Sequence, residues 1–326
     1  MEKRSSLIGM IEQLPDAYLD ELFTVVQRMA DLEEKKPACP RCQSAAVIRY
    51  GTRCNKRRFL CKSCGRTFVE TTNTIMFMSH QPKAVWNEVI KDTFSSVSLN
   101  KTAERLEISH QCVFDMRHKI LLAIQDEQST VLSEVAELDE TFVLDNYKGK
   151  KLPDEVSRNP RKHGAVAEKR GISSEYVCIC TGIQRKGPAI ATTVNRAKPS
   201  AEELGIAYNG KLLPGTLTLF DGLRSYPAWG KSQGLVLKDV TGVCENEKGF
   251  FNLNTVNRFH SFIKECYRSY RGVATKYLNR YNALLSVAYR ITAEKIRDCS
   301  AKLLTAISTR RSYTCHDVKM TGLLTV

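Results

Sequence analysis

Two Cys-x-x-Cys pairs, Cys39 with Cys42 and Cys61 with Cys64, are separated by 18 residues. Nothing else in the chain limits its local fold so tightly. Two thiols on each of two tight turns, at this spacing, predict a four-thiolate Zn²⁺ site with no open coordination position and therefore a structural role. The other cysteines among the 12 are scattered. In a chain of this size without an apolar leader, seven of them read as small buried hydrophobes of a reducing compartment and Cys54, between the two pairs, as a spare thiol.

The chain around the thiols is basic. Arg41, Arg49, Arg53, Lys56, Arg57, Arg58, Lys62 and Arg66 face the single acid Glu70 over residues 37–72, with Tyr50, Phe59 and Phe68 as the expected apolar packing. A metal-stapled basic module suits phosphate contact, with Arg57 and Arg58 as candidate DNA contacts, although such modules also serve protein interfaces. The whole chain agrees: a formal charge of +14 over 326 residues points to a polyanionic partner. No run of 18 apolar residues occurs, so a soluble protein of the cytoplasm, at the nucleoid when on DNA, is expected.

Residues 1–36 carry apolar positions at helical spacing, interrupted at Pro15, and read as two short helices. Residues 73–130 read as further helices. In LNKTAERLEISHQCVFDMRHKI, Asn100 is the expected cap of one helix and Ser109 of the next, with Val113, Met116 and Ile120 on the inner face of the second. This is helix-turn-helix spacing, and it offers His110, Gln111, Arg117 and Lys119 to a major groove. Glu107 stands in the turn where glycine is frequent.

From residue 131 to about 300 the pattern changes to strands followed by helices, a mixed α and β domain. A basic insertion at 146–171 contains Lys150, Arg161 and Lys162, candidates for DNA contact, and a tail follows at 301–326. VAELDETFV reads as a strand with Glu137, Asp139 and Thr141 on one face. TLTLFDGLRSY reads as a buried strand ending at Asp221, with Gly222 turning the chain. The helix VNRFHSFIKECYRSY lines up Asn257, His260, Lys264 and Arg268 opposite an apolar side. Two strand-borne acids and a ligand on a later helix suit a pair of Mg²⁺ ions in phosphoryl transfer.

Taken together, CPRC, CKSCGRTF, ELDETFV, LFDGLRSY and VNRFHSFIKECYRSYRGVATKYLNRY resemble the ISXO-like insertion-sequence transposases of the DDE class. The resemblance implies an RNase H-like catalytic domain, Mg²⁺-dependent cleavage at element ends, and attack on target DNA by the freed 3′-hydroxyl. It also implies a homo-oligomer on paired terminal inverted repeats. Asp139 and Asp221 match the first two acids. Glutamate often stands third; here Asn257 or His260 does, with His260 preferred, Mn²⁺ able to replace Mg²⁺, and Lys264 and Arg268 holding phosphates. The expected whole is a multidomain α+β chain: N-terminal helices, zinc ribbon, helix-turn-helix and catalytic domain. The alternative is a transposase-derived DNA-binding regulator that has lost catalysis.

Overall fold

The computed structural model describes residues 37–53, 56–149, 151–152, 167, 171–173, 175–241, 249–289 and 312–320. The two expected N-terminal helices, and Lys150, Arg161 and Lys162, lie outside them. Among the described residues no helix is long and apolar enough to cross a membrane.

The cysteine-rich segment forms a three-stranded antiparallel sheet from β1 (Val47–Arg53), β2 (Lys56–Cys61) and β3 (Thr67–Val69), in that order. Its apolar centre is small: the Phe59 and Phe68 rings stack at 5.5 Å beside the buried Cys39 and Cys61. Tyr50, expected to share in that packing, is 51% exposed and lies under the Arg58 guanidinium instead. So little buried surface cannot offset the cost of ordering the chain, which leaves the thiol cluster as the staple.

Three helices follow: α1 (Lys83–Phe94), α2 (Leu99–Leu106) and α3 (His110–Glu127). Ser109 caps α3 as expected, its side chain accepting from the Cys112 amide. The cap of α2 is Ser98, which accepts from the Lys101 amide, and Asn100 falls inside the helix. Serine with extended backbone satisfies the first free amides directly, so the helix starts two residues earlier than expected. Glu107 closes α2 in the left-handed region at φ 52°, a glycine-like position taken here by a charged residue.

The second sheet has five strands: β4 (Val135–Leu144), β5 (Tyr176–Gln184), β6 (Ala189–Arg196), β7 (Leu217–Phe220) and β8 (Val236–Asp239). Their order is β6-β5-β4-β7-β8, with β4, β5 and β6 antiparallel in succession and β7 and β8 parallel to β4. The two strands expected over VAELDETFV and TLTLFDGLRSY are present as β4 and β7. On one face lie α4 (Ala201–Tyr208) and α5 (Ser225–Gly230), with Leu138, Phe220, Tyr208 and Trp229 between them. On the other lie α6 (Asn254–Ser269) and α7 (Leu278–Ala288), and the core beneath them runs on into α1 and α3. The helical segment and the mixed sheet thus share one continuous core.

Residues 312–320, expected to belong to a tail, are docked. Their helix α8 (Cys315–Lys319) is held by the buried Arg280, which donates to the carbonyls of Asp317, Val318 and Met320 at 2.8–3.0 Å.

Candidate metal centres and catalytic site

The two knuckles are built alike. The Gln43 amide donates to the Cys39 carbonyl and the Gly65 amide to the Cys61 carbonyl, each at 2.9 Å. Gln43 and Gly65 both have positive φ, 58° and 68°. This left-handed residue after each second cysteine turns the chain so that its two thiols point inward. Sγ of Cys39 lies 3.6 Å from that of Cys64, and Cys42 lies 3.5 Å from Cys61. All four sulfurs lie within 4.8 Å of one another. Thiolates about 2.3 Å from one zinc ion sit about 3.8 Å apart in a tetrahedron, so the quartet fits that ion. The thiols share protons: against burial, the Cys64 amide, the Cys42 thiol and the Ser63 amide draw Cys61 down to about 6, while, against the Ser44 amide, burial and the Cys61 thiol push Cys42 up to about 12. Arg57 on this module is exposed and faces Glu70 at 3.4 Å, and Arg58 donates to the Thr67 hydroxyl at 2.8 Å.

In the mixed sheet, the parallel register pairs Val135 with Leu217, Ala136 with Thr218 and Glu137 with Leu219. Two residues further along both chains come Asp139, within β4, and Asp221, just past the end of β7, near enough for the Asp221 charge to act on the Asp139 carboxyl. Alternation puts them on the face of Glu137 and Leu219, where α6 packs. The chain runs from β4 outward through β5 and β6 and then returns to the opposite side of β4. Asp139 thus sits midway along β4, and Asp221 just past the carboxyl end of the adjacent β7, on the side of β4 to which the chain returns.

The acids at the strand ends differ in their partners. Asp239, at the end of β8, accepts from the amides of Gly222 and Thr241 and from the Thr241 hydroxyl, which shapes the turn behind Asp221. Asp221 is exposed, and its carboxylate has no partner among the described residues. Asp139 is half-buried. Its carboxyl is pushed up to about 6, chiefly by desolvation, while the Glu140 amide opposes the rise and nearby Asp221 adds to it. A cation is what such a pair lacks.

His260, on α6, is only 6% exposed, whereas Asn257, Lys264 and Arg268 are exposed. The expected row of four is thus divided: the imidazole tucks under the sheet while its helical neighbours face solvent. The Thr181 hydroxyl, directly opposite Asp139 on β5, donates its one proton to the Asp139 carbonyl at 2.8 Å. The 2.6 Å contact between Thr181 Oγ1 and His260 Nε2 then requires the imidazole to donate, leaving the Nδ1 lone pair free. That nitrogen lies 3.8 Å from Asp139 Oδ2, too far for a hydrogen bond. Burial, reinforced by Lys264, lowers the His260 pKa to about 4, so the ring is neutral near pH 7. A lone pair and a carboxylate facing each other across this gap fit a shared divalent cation. Beyond the cysteine quartet, no three His, Cys, Asp or Glu groups among the described residues bring their ligand atoms within 4.8 Å. Arg268 is engaged with Glu265 one turn earlier.

Glu137, on the same strand face as Asp139, has a role that its position alone does not reveal. Glu137 is fully buried and accepts from the amides of Thr255 and Val256 at 2.8 and 2.9 Å and from Arg185 Nε at 2.6 Å. It caps α6 from another element, because Leu253 at the N-cap supplies no side-chain bond.

Of the residues expected to meet DNA through α3, His110 and Gln111 are exposed, and Gln111 donates to Asp115. Lys119 is half-buried. Arg117 is a correction: it is 1% exposed, with its guanidinium 5.6 Å from the Tyr270 ring and donating weakly to Thr102 Oγ1 at 3.4 Å. The reading assumed a free helical hairpin, but α3 packs on the sheet domain and covers that side chain.

No family model matches the chain. It is 27% identical over 253 residues to an uncharacterized protein in transposable element ISH50 of Halobacterium salinarum, covering 74% of this chain and 82% of that protein. Among solved structures, a pre-cleavage Mos1 transpososome covers 63% of this chain at 11% identity and a TM-score of 0.26, with 74% of its own chain matched. The Mos1 strand transfer complex covers 70% at 12% identity and a TM-score of 0.28, with 76% of its own chain matched. Overlaps of this size define no common fold.

Proposed function

We propose that the chain is a DNA transposase that cleaves and joins DNA strands at the ends of a mobile element. Asp139, Asp221 and His260 hold divalent cations, Mg²⁺ with Mn²⁺ as substitute, and the cysteine quartet holds structural Zn²⁺. What supports this reading best is that Asp139 and Asp221 each follow by two residues the paired Glu137 and Leu219 of adjacent parallel strands, with the free Nδ1 of His260 3.8 Å from Asp139 Oδ2. The occurrence of a relative within a transposable element supports the same class. The mixed sheet bearing both acids is the RNase H-like domain of the proposal.

Bound divalent cations supply Lewis-acid stabilisation of the phosphoryl oxygens and a lowered pKa for the attacking hydroxyl. The chain's own groups do the rest. Asp139 and Asp221 provide the negative charge, and Thr181 fixes the imidazole tautomer so that Nδ1 faces the acids. Exposed Lys264, one turn beyond His260, is placed to hold the phosphate being cut, and Arg268 a neighbouring one. Asn257, one turn before His260, is exposed where the imidazole is buried, and is taken as the weaker ligand. The basic module with Arg57 and Arg58, and the α3 start with His110 and Gln111, select the terminal inverted repeats. Paired ends call for a homo-oligomer.

The test is a cleavage assay on a labelled terminal repeat with added Mg²⁺. Wild-type protein gives a nicked product; Asp139→Ala and Asp221→Ala bind the same DNA and give none. Cleavage retained by either variant ends the assignment.

A further inference from the structure

A cavity of about 620 Å³ opens between α2, the first half of α3 and the segment from Tyr270 to Tyr281. Five cations line it, Lys101, Arg117, Lys148, Arg271 and Lys276, against the carboxylate of Glu104. Arg117 is the informative one. It is 1% exposed, and among the described residues its Nε has no hydrogen-bond partner and it forms no ion pair. Its described neighbours are the Thr102 and Tyr281 hydroxyls, both neutral hydrogen-bond partners, and the Tyr270 ring. A guanidinium cannot shed its proton to relieve such a position, so a buried one without counter-charge is costly unless an anion completes the site.

Further observations give the cavity the same sign. The first residues of both α2 and α3, among them Lys101, His110 and Gln111, line it, and helix starts carry free amides and partial positive charge. His118 in its wall is held neutral, first by burial and then by Arg280, Arg117 and Lys276. Lys101, Lys148 and Arg271 are exposed at the edge, extending positive charge beyond the enclosed volume, as a strand of phosphates requires and a lone ion does not.

We propose that this cavity is an anion site that seats a backbone phosphate of a DNA strand, clamped between the helical pair and the sheet domain. The assignment rests on DNA being the substrate but not on the chemistry at Asp139 and Asp221. It gives Arg117 a phosphate in place of the base edge that the sequence pattern suggested.

The experiment uses the full zinc-loaded chain without added Mg²⁺, with a labelled duplex and a labelled single strand of one arbitrary sequence, titrated at several salt concentrations. The double variant Arg271→Ala/Lys276→Ala is expected to bind at least one of them about 10-fold or more weakly, with a duplex salt slope shallower by about two. The form of DNA that loses affinity identifies the strand seated. In a melting assay, inorganic phosphate stabilises the wild type and fails to stabilise Arg117→Gln; if that variant does not fold, the rim variant decides. Wild-type affinity and salt slope in a folded rim variant overturn the cleft while leaving DNA binding intact. Phosphate protection at Arg117 with no change in DNA binding overturns the strand assignment, and a wild type that binds neither DNA overturns the DNA reading as well.

Discussion

Acids at strand ends are common, and what separates a ligand from a turn residue is whether the carboxylate is already satisfied. Asp239 accepts from two amides and a hydroxyl, whereas Asp221 has no partner among the described residues and is near enough to Asp139 to help raise its pKa. Asp221→Asn should therefore lower end cleavage on the order of 10³-fold or more, the loss of several kcal/mol of charge stabilisation, while Asp239→Asn stays within about 10-fold. Rates on one labelled repeat check both; equal losses would assign Asp221 to the turn. The same reasoning ranks the third position. His260→Ala should abolish cleavage and Asn257→Ala should reduce it only modestly, with the reverse order moving the ligand to Asn257. A neutral imidazole in place of a third carboxylate leaves less negative charge around the cations, so Mn²⁺ should support cleavage at lower concentration than Mg²⁺. Equal activity across a concentration series of the two ions counts against that donor set. The sequence offered Asp139, Asp221 and His260 by residue type and position. It could not show the ring's burial or its tautomer, because both depend on Thr181, 79 residues away from His260.

At the scale of elements, Glu137 ties the strand that carries Asp139 to the helix that carries His260. Its carboxylate closes the amino end of α6 and pairs with Arg185, which also donates to the Asn252 carbonyl at 2.9 Å. Removing one partner of a buried pair leaves the other uncompensated, so Glu137→Ala should cost about 3–5 kcal/mol, read as a fall in the denaturation midpoint. A change below about 1 kcal/mol would show that the cap does not hold the helix. A second prediction concerns pH. His118 Nδ1 accepts from Arg280 at 3.1 Å, and the ring is buried with its pKa held well below 6.5. The unfolded chain takes up a proton as pH falls through 6.5 and the folded chain does not. Stability from this group is therefore complete above 6.5 and falls by about 1.4 kcal/mol per pH unit below it. Urea midpoints at pH 7.5 and 5.5 test this, and His118→Gln should shrink the difference, leaving the like share of His260, whose pKa is also held down by burial. The strands were legible because alternation is local. The short β8, the helices on the far face and the docking of α3 onto the sheet were not, since each is decided by a partner distant in the chain. Arg117 was misread for that reason: helical spacing says which residues share a face, not whether a neighbouring domain covers it.

At the scale of the molecule, two unlike sources of stability divide the chain. The sheet domain and the helices share an extended core, while the cysteine module has four thiols, Phe59 and Phe68 at its centre. This division was visible in the sequence, since cysteine spacing and basic charge set residues 37–72 apart; the packing of 312–320 on Arg280 was not, because nothing in that segment's own pattern names its partner. The division predicts separable losses. Zinc binding is the folding free energy of a small metal-stapled module, so purified protein should carry one equivalent of zinc by elemental analysis. Its removal by a chelator, or Cys61→Ser, should unfold that module alone. The main calorimetric transition should then persist, since the shared core does not depend on the thiols, while specific binding to the terminal repeat is lost and weak, strongly salt-dependent DNA binding remains through the cationic cleft. If zinc removal instead abolished the main transition, the module would be part of the common core. If repeat selectivity survived it, recognition would have to lie with α3, and Arg57 and Arg58 would serve only to hold the backbone.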